Sequence, residues 1–187
     1  AHLACPRPGE RILDLCAAPC GKATHMAELA EGQAHITATD LSETRLRLVS
    51  ENAERLRTPG LEIRRLQELE EMNPAGTDGG FDLVLVDAPC SGLGTLRRNP
   101  EIRYRCSPKM IRRLAAEQGR ILRKAATLVR PGGRIVYSTC TVTDEENRQV
   151  VEAFLGGNPG FRLVESETDV EVIRGLRRED GLYQTWP

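Results

Sequence analysis

Apolar residues in this chain come in short dense runs, and between the runs they recur at helical spacing. Arg11-Ile-Leu-Asp-Leu-Cys16 predicts a buried strand, followed by a turn over Ala17-Ala-Pro-Cys-Gly21. A helix is predicted from Lys22 to Ala30, with Met26, Leu29 and Ala30 on one face. His35–Asp40 reads as a second strand. Ser42 is a good N-cap for a helix Glu43–Leu56, in which Leu46, Val49, Ala53 and Leu56 share a stripe. Pro59-Gly60 breaks that helix before a weaker third strand, Leu61–Leu66. Asn73–Gly80 reads as a loop and Phe81–Val86 as a fourth strand. Ser107-Pro108 opens a long helix to about Val129, with Ile111, Leu114, Ala115, Ile121, Leu122, Ala125 and Leu128 as its stripe. Arg130-Pro-Gly-Gly133 ends it, and Arg134–Ser138 is a fifth strand. Thr143-Asp-Glu-Glu-Asn opens a helix Glu146–Leu155 with acids at its positive end, and Phe161–Val164 reads as a sixth strand. The remaining residues are polar and poorly patterned.

Strands alternating with helices at this rhythm predict an α/β fold: a doubly wound, mostly parallel sheet with helices on both faces. Ligands of such sheets bind outside the carboxyl ends of the strands. Two of those ends carry thiols, in Asp87-Ala-Pro-Cys90-Ser-Gly92 and in Tyr137-Ser-Thr-Cys140. Right-handed crossovers place both on one rim. The loop Asp87–Ser107, which carries Cys90 and leads into the long helix, spans about 20 residues, a length typical of functional loops.

Composition narrows the class. With 187 residues, 40% hydrophobic and 28% charged, the chain suits one soluble α/β domain with a real core. No apolar run approaches the roughly 20 residues of a membrane span, and no secretory signal is visible, so no membrane partner is expected. The chain starts without Met and stops at Trp186-Pro187, which reads as a fragment. Six cysteines include no Cys-x-x-Cys pair. Cys16 and Cys20 have no histidine at ligand spacing, so no metal is expected, and reduced thiols in the cytoplasm are. The formal net charge is −1, but Arg97 to Arg134 holds twelve basic residues against Glu101 and Glu117, a local balance of +10. Such a block beside a thiol loop suits RNA phosphates; its plainer reading is a solvated helix face.

Leu13-Asp-Leu-Cys16-Ala17-Ala18-Pro19-Cys20-Gly21-Lys22 lies where nucleotide loops lie, between the first strand and first helix, but it is not a G-x-G-x-x-G. Its small residues let a ligand approach the backbone. Asp40, 19 residues after Gly21, stands where an acid commonly holds a ribose, or else caps a helix. A lysine in a first helical turn opposes the dipole, so Lys22 either points to water or serves an acid or ligand.

These three runs, in this order and on these strands, resemble the Sun/Fmu family of RNA cytosine-C5 methyltransferases, the likeness running from about Pro8 to Phe161 and including Asn99-Pro-Glu-Ile-Arg103 and Glu145-Glu-Asn147. The nearest likeness is to the bacterial branch acting on 16S ribosomal RNA. The resemblance implies a Rossmann-like methyltransferase sheet and S-adenosylmethionine as cofactor. Cys16, Ala17, Ala18, Pro19, Cys20, Gly21 and Lys22 would form its loop, and Asp40 would hold its ribose. Asp87 would lie near the sulfonium and the target base. The family usually has a glycine where Cys20 stands, and a side chain there costs about 1 kcal/mol if φ is positive. It usually has an aspartate after the third strand, where Gln67 would substitute. The resemblance also implies a single catalytic domain here, without the family's N-terminal RNA-binding extension and final strand, and ribosomal or transfer RNA as partner.

The chemistry explains two thiols. Cytosine C5 is a poor nucleophile until a thiolate adds to C6; a base must then remove the C5 proton so that the thiolate can leave. A free thiol, of pKa about 8.5, is only slightly ionised at neutral pH and needs local help. Pro89-Cys90 resembles the attacking Pro-Cys of DNA cytosine methyltransferases, whereas the Sun/Fmu resemblance assigns attack to Cys140 and product release to Cys90. Asp87 would bond the cytosine N3/N4 edge. Cys5, Cys16 and Cys106 read as structural, and Tyr104 and Tyr137 as packed rather than stacked on a base. The competing readings are a methyltransferase for protein or small molecules, which needs no thiol pair, and a catalytically silent RNA-binding module.

Overall fold

A computed structural model describes residues 1–71 and 79–185. Its sheet has strands β1 (Arg11–Asp14), β2 (His35–Asp40), β3 (Leu61–Arg65), β4 (Phe81–Asp87) and β5 (Val129–Ser138) in the order β3-β2-β1-β4-β5. The pairs β1–β2, β1–β4 and β2–β3 are parallel, with Leu13 opposite Thr37 on one side and Val84 on the other. The order reverses between β1 and β4, which makes their carboxyl ends the switch point where doubly wound sheets take ligands. The helices are α1 (Gly21–Leu29), α2 (Glu43–Leu56), α3 (Leu66–Glu71), α4 (Ile102–Arg105), α5 (Pro108–Leu128), α6 (Arg148–Gly157) and α7 (Glu171–Arg174). No helix of the described residues is long and apolar enough to cross a membrane.

The chain divides into two compact units, residues 1–87 with 125–136, and residues 88–124 with 137–185. The first holds the main apolar cluster. Ile12, Ile36, Leu83 and Leu85 come from three central strands, and Ala23, Met26, Ala27 and Val49 from α1 and α2. Both faces of β1 and β4 are covered, so their sequences are continuous apolar runs. Small residues on α1 let it lie close to the strands. Each of the buried aliphatic side chains contributes roughly 1.5–3 kcal/mol, and Ile12→Ala would remove one from the centre.

Several boundaries differ from expectation for local reasons. The first strand stops at Asp14 because the Cys16 amide turns back to the Asp14 carboxylate and the Ala17 amide goes to Thr39 O. Leu66 opens the short helix α3 instead of ending a strand, which puts Gln67 on a helix, exposed. The Arg130–Gly133 turn is absorbed into β5, which starts at Val129. The helix expected from Glu146 starts at Arg148, after a 3-10 turn over Asp144–Glu146. Phe161–Val164 is not a strand. Phe161 packs its ring against Phe154 of α6, while Leu163 and Val164 are exposed and pair with nothing in the sheet. Except for Gly79 and Gly80, the loop expected over Asn73–Gly80 lies outside the described residues.

Candidate active site

In the first unit the loop after β1 is built from its own backbone. Cys20 N–H closes the turn onto Ala17 O, and Cys20 O accepts the Thr24 amide and hydroxyl as α1 begins. The Ala18–Pro19 peptide is cis. Cys20 is fully buried and adopts φ 93°, a left-handed conformation, so the strain expected of a side chain at this position is present. A Cβ added to Gly21 would meet nothing within 4 Å. The start of α1 is therefore open space beside small residues.

Three acids belong to this unit. Asp14 at the end of β1 is 1% exposed; Oδ1 accepts the Cys16 amide at 3.3 Å, and Oδ2 has no hydrogen-bond partner. Burial pushes its carboxyl up to about 7. Asp40 at the end of β2 is also buried. Oδ1 accepts the Ser42 amide at 3.1 Å, so Asp40 does shape the entry to α2, while Oδ2 makes no hydrogen bond and lies 3.5 Å from the Arg45 guanidinium. Asp87 at the end of β4 is half-exposed and takes the Lys22 ammonium at 2.5 Å. That acid explains a lysine in the first turn of α1. Burial first, and the neighbouring carboxylates after it, push the Cys16 thiol up to about 12, which leaves it inert as a nucleophile.

In the second unit the two thiol segments run side by side. Ala88 N–H donates to Ser138 O, and Gly94 N–H donates to Cys140 O at 3.0 Å. Cys90 Sγ and Cys140 Sγ are 3.1 Å apart, and the Cys140 amide donates to Cys90 Sγ at 3.2 Å. The two sulfurs sit in unequal surroundings: Cys140 is exposed and Cys90 half-buried. The hydrogen bond to Cys140, followed by burial, raises the Cys90 thiol above its ordinary value.

The basic block divides. Arg134 forks onto Glu10 and donates to Ala4 O and Cys5 O, and Arg130 pairs with Asp82; both serve the first unit. Arg97, Arg98, Arg103, Arg105, Lys109, Arg112, Arg113 and Arg123 in the second unit are exposed. Tyr104 is not packed as expected: it is 76% exposed, with the Arg103 guanidinium 4.7 Å from its ring centroid. Tyr137 is held by its hydroxyl, which donates to Glu146 O.

Sequence reasoning missed two sets of residues. Arg45 and Asn52 of α2 donate to Ala18 O and Pro19 O and hold the loop from outside. Ser91, Gln118, Thr141 and Glu146 form a buried polar group around the thiol segments. Gln118 did carry a signal, since it is a polar residue at helical spacing inside the stripe of Leu114, Ala115 and Leu122. Glu146 carried none, standing in a run with Asp144 and Glu145.

With this geometry in hand, comparison with known proteins is specific. The family described as 16S rRNA methyltransferase RsmB/F matches residues 1–187. The chain is 42% identical over 186 residues to a probable ribosomal RNA small subunit methyltransferase B of Bacillus subtilis, covering 97% of this chain and 41% of that protein. It is 40% identical over 163 residues to the ribosomal RNA small subunit methyltransferase B of Yersinia pseudotuberculosis, covering 87% and 37%. The crystal structure of NSun6 from Pyrococcus horikoshii with SFG superposes with a TM-score of 0.77 at 32% identity, covering 88% of this chain and 41% of that one. This chain thus spans about two fifths of the length of the curated relatives it matches. The matched residues include the β1 loop and both thiol segments, and the chain belongs to the 16S rRNA methyltransferase RsmB/F family.

Proposed function

We propose that this chain is the catalytic part of an S-adenosylmethionine-dependent methyltransferase acting on C5 of a cytosine in ribosomal RNA. The observation that carries the reading is the thiol pair: two sulfurs 3.1 Å apart, one exposed and one half-buried. A methyltransferase for protein or small molecules needs no such pair.

The first unit fits the cofactor. Asp14 Oδ2 and Asp40 Oδ2 are buried acceptors without a hydrogen bond, and Gly21 leaves open space at the helix start. Cys16, Ala17, Ala18, Pro19, Cys20, Gly21 and Lys22 would hold it, with Asp40 at its ribose and Gln67 toward its base. When bound, the cofactor supplies an electrophilic methyl group on a positively charged sulfur.

This chain's own residues do the rest. Cys140 adds through Sγ to C6 of the cytosine, and C5 becomes nucleophilic. Asp87 is assigned the N3/N4 edge of the base. After transfer, Cys90, its own proton first lost to solvent, takes the C5 proton as thiolate, the C5–C6 double bond reforms and the C6–Sγ bond breaks, which frees Cys140 as thiolate. Cys140 is the exposed sulfur, and its backbone amide donates to Cys90 Sγ, which helps Cys90 carry charge as the base; both support this order of roles over its reverse. The exposed arginines of the second unit supply phosphate contacts.

The test is covalent capture. With cofactor and RNA containing 5-fluorocytidine, the protein forms an adduct that Cys140→Ala abolishes. Cys90→Ala accumulates adduct even with ordinary RNA. An adduct lost in Cys90→Ala but retained in Cys140→Ala reverses the two roles, and no adduct with any cytosine-containing RNA removes the reading.

A further inference from the structure

We infer that Glu146 is a positioning residue that holds Cys90 and Cys140 as a pair, without touching either sulfur. The inference rests on the reading above that both thiols serve one reaction cycle.

Glu146 is 0% exposed, yet its carboxylate accepts four hydrogen bonds, all from neutral donors. Oε1 takes the Ser91 amide at 2.8 Å and Gln118 Nε2 at 3.0 Å; Oε2 takes the Ser91 hydroxyl at 2.5 Å and the Thr143 hydroxyl at 3.1 Å. These donors flank the thiols. Ser91 follows Cys90. Gln118 Nε2 also donates to the carbonyl of Pro89, which precedes Cys90. On the other segment Thr141 follows Cys140, and its hydroxyl pairs with that of Ser91 at 2.8 Å. Thr139 precedes Cys140 and donates to Asn147 Oδ1 at 2.6 Å, while Asn147 Nδ2 donates to Thr141 O and Thr143 O. Each thiol therefore has its preceding and its following residue tied to Glu146 or to the adjacent Asn147.

A buried acid without a cation is costly unless its lone pairs are filled. Four donors meet that demand. An apolar side chain would fill the same volume but could not hold the Ser91 backbone, 55 residues away in sequence, by hydrogen bonds. The geometry that Glu146 fixes is the one the cycle needs: Cys90 must reach the C5 proton of a base held by Cys140. Loosening the pair slows release more than attack.

The test reads the pair directly. Phenylarsine oxide binds two thiols only when they sit together. The wild-type protein is expected to bind it, and Cys140→Ser to lose that binding. Glu146→Ala should weaken it by about tenfold or more, with partial recovery in Glu146→Gln, which keeps the shape and one acceptor. With ordinary RNA and cofactor, Glu146→Ala should lower kcat with KM nearly unchanged and accumulate covalent adduct, as a merely loosened fold would not. Cofactor affinity, read in the other unit, stays at the wild-type value. Where Glu146→Ala does not fold, Ser91→Ala, which keeps the backbone donor and removes the bridge to Thr141, shows the same signs. Arsenical affinity and kcat both within about twofold of wild type in Glu146→Gln and Ser91→Ala overturn the inference. A wild-type protein that binds the arsenical but methylates no RNA refutes the proposed substrate and leaves the positioning result standing.

Discussion

Each unit of this molecule buries a carboxylate completely, and the two are treated in opposite ways. Asp14, at the end of β1, has one backbone donor at 3.3 Å and an oxygen with none. Glu146 has four donors. Asp14 lies in the field of Asp87, Lys22 and Asp40 without a side-chain donor, whereas Ser91 and Gln118, buried in the second unit, donate to Glu146. A buried acceptor left open costs stability and invites a ligand; one that is filled spends its bonding capacity on the protein. On this difference, the first unit keeps capacity for a molecule that arrives and leaves, and the second holds its own reactive groups in register.

Asp14 offers the largest test. Its carboxyl is raised from 3.8 to about 7, mainly by burial. The unfolded chain therefore ionises it first as pH rises. The native protein binds the extra proton between those values, and stability falls across that window. The stability present below about pH 4 is lost progressively up to about pH 7, by at most about 4 kcal/mol. Asp14→Asn removes the titration. The difference in urea-unfolding free energy between variant and wild type should grow in the variant's favour from pH 4.5 to 7.5, while its cofactor affinity falls. A difference that does not change with pH would mean that Asp14 is better solvated or partnered than its surroundings indicate.

Glycines sharpen the same contrast at a smaller scale. A Cβ on Gly94 would sit 2.9 Å from the carbonyl oxygen of Cys140, a backbone atom fixed by the Gly94 amide itself. Gly94→Ala must push the Cys140 segment aside, costing about 2 kcal/mol and disturbing the thiol pair. Gly21→Ala enters open space at a helical position, so it should leave stability unchanged or raise it by about 0.5 kcal/mol while impairing cofactor binding. Thermal unfolding and cofactor titration of the two variants compare a crowded site with a reserved one. Equal losses of stability would erase the distinction.

What was legible in advance follows the same division. Parallel strands covered on both faces are continuous apolar runs, so β1, β2 and β4 were visible, as was α2 with its Ser42 cap, whose hydroxyl accepts the Arg45 amide. The β1 loop and both thiols were visible because they stand where apolar, strand-like runs end in small or polar residues. Phe161–Val164 misled because an apolar stretch does not reveal whether a neighbouring strand exists to pair with it. Leu66–Glu71 was missed because a single helical turn leaves no periodicity. Glu146 was illegible for a different reason. Its partners Ser91 and Gln118 are 55 and 28 residues away, and neither neighbouring acid differs from it in local sequence. Composition read the acidic run as a helix start; only the fold separates the one acid that turns inward.

Cys20 carries the smallest effect and the cleanest sign. It closes the β1 loop at φ 93°, where an L side chain is strained, yet its thiol is wholly buried and pushed up to about 11, chiefly by burial. Two effects compete in any truncation. Removing the sulfur forfeits packing in both Cys20→Ala and Cys20→Gly, and Gly forfeits slightly more. Gly alone relieves the left-handed backbone, by about 1–2 kcal/mol, against about 0.5–1 kcal/mol for its extra freedom in the unfolded chain. The larger truncation should thus be the milder one, with Cys20→Gly more stable than Cys20→Ala by about 0.5–1 kcal/mol in urea unfolding. If Ala proves the more stable, packing of the sulfur and not backbone strain governs this corner. The loop would then be shaped by its core neighbours, as the thiol segments are shaped by Glu146.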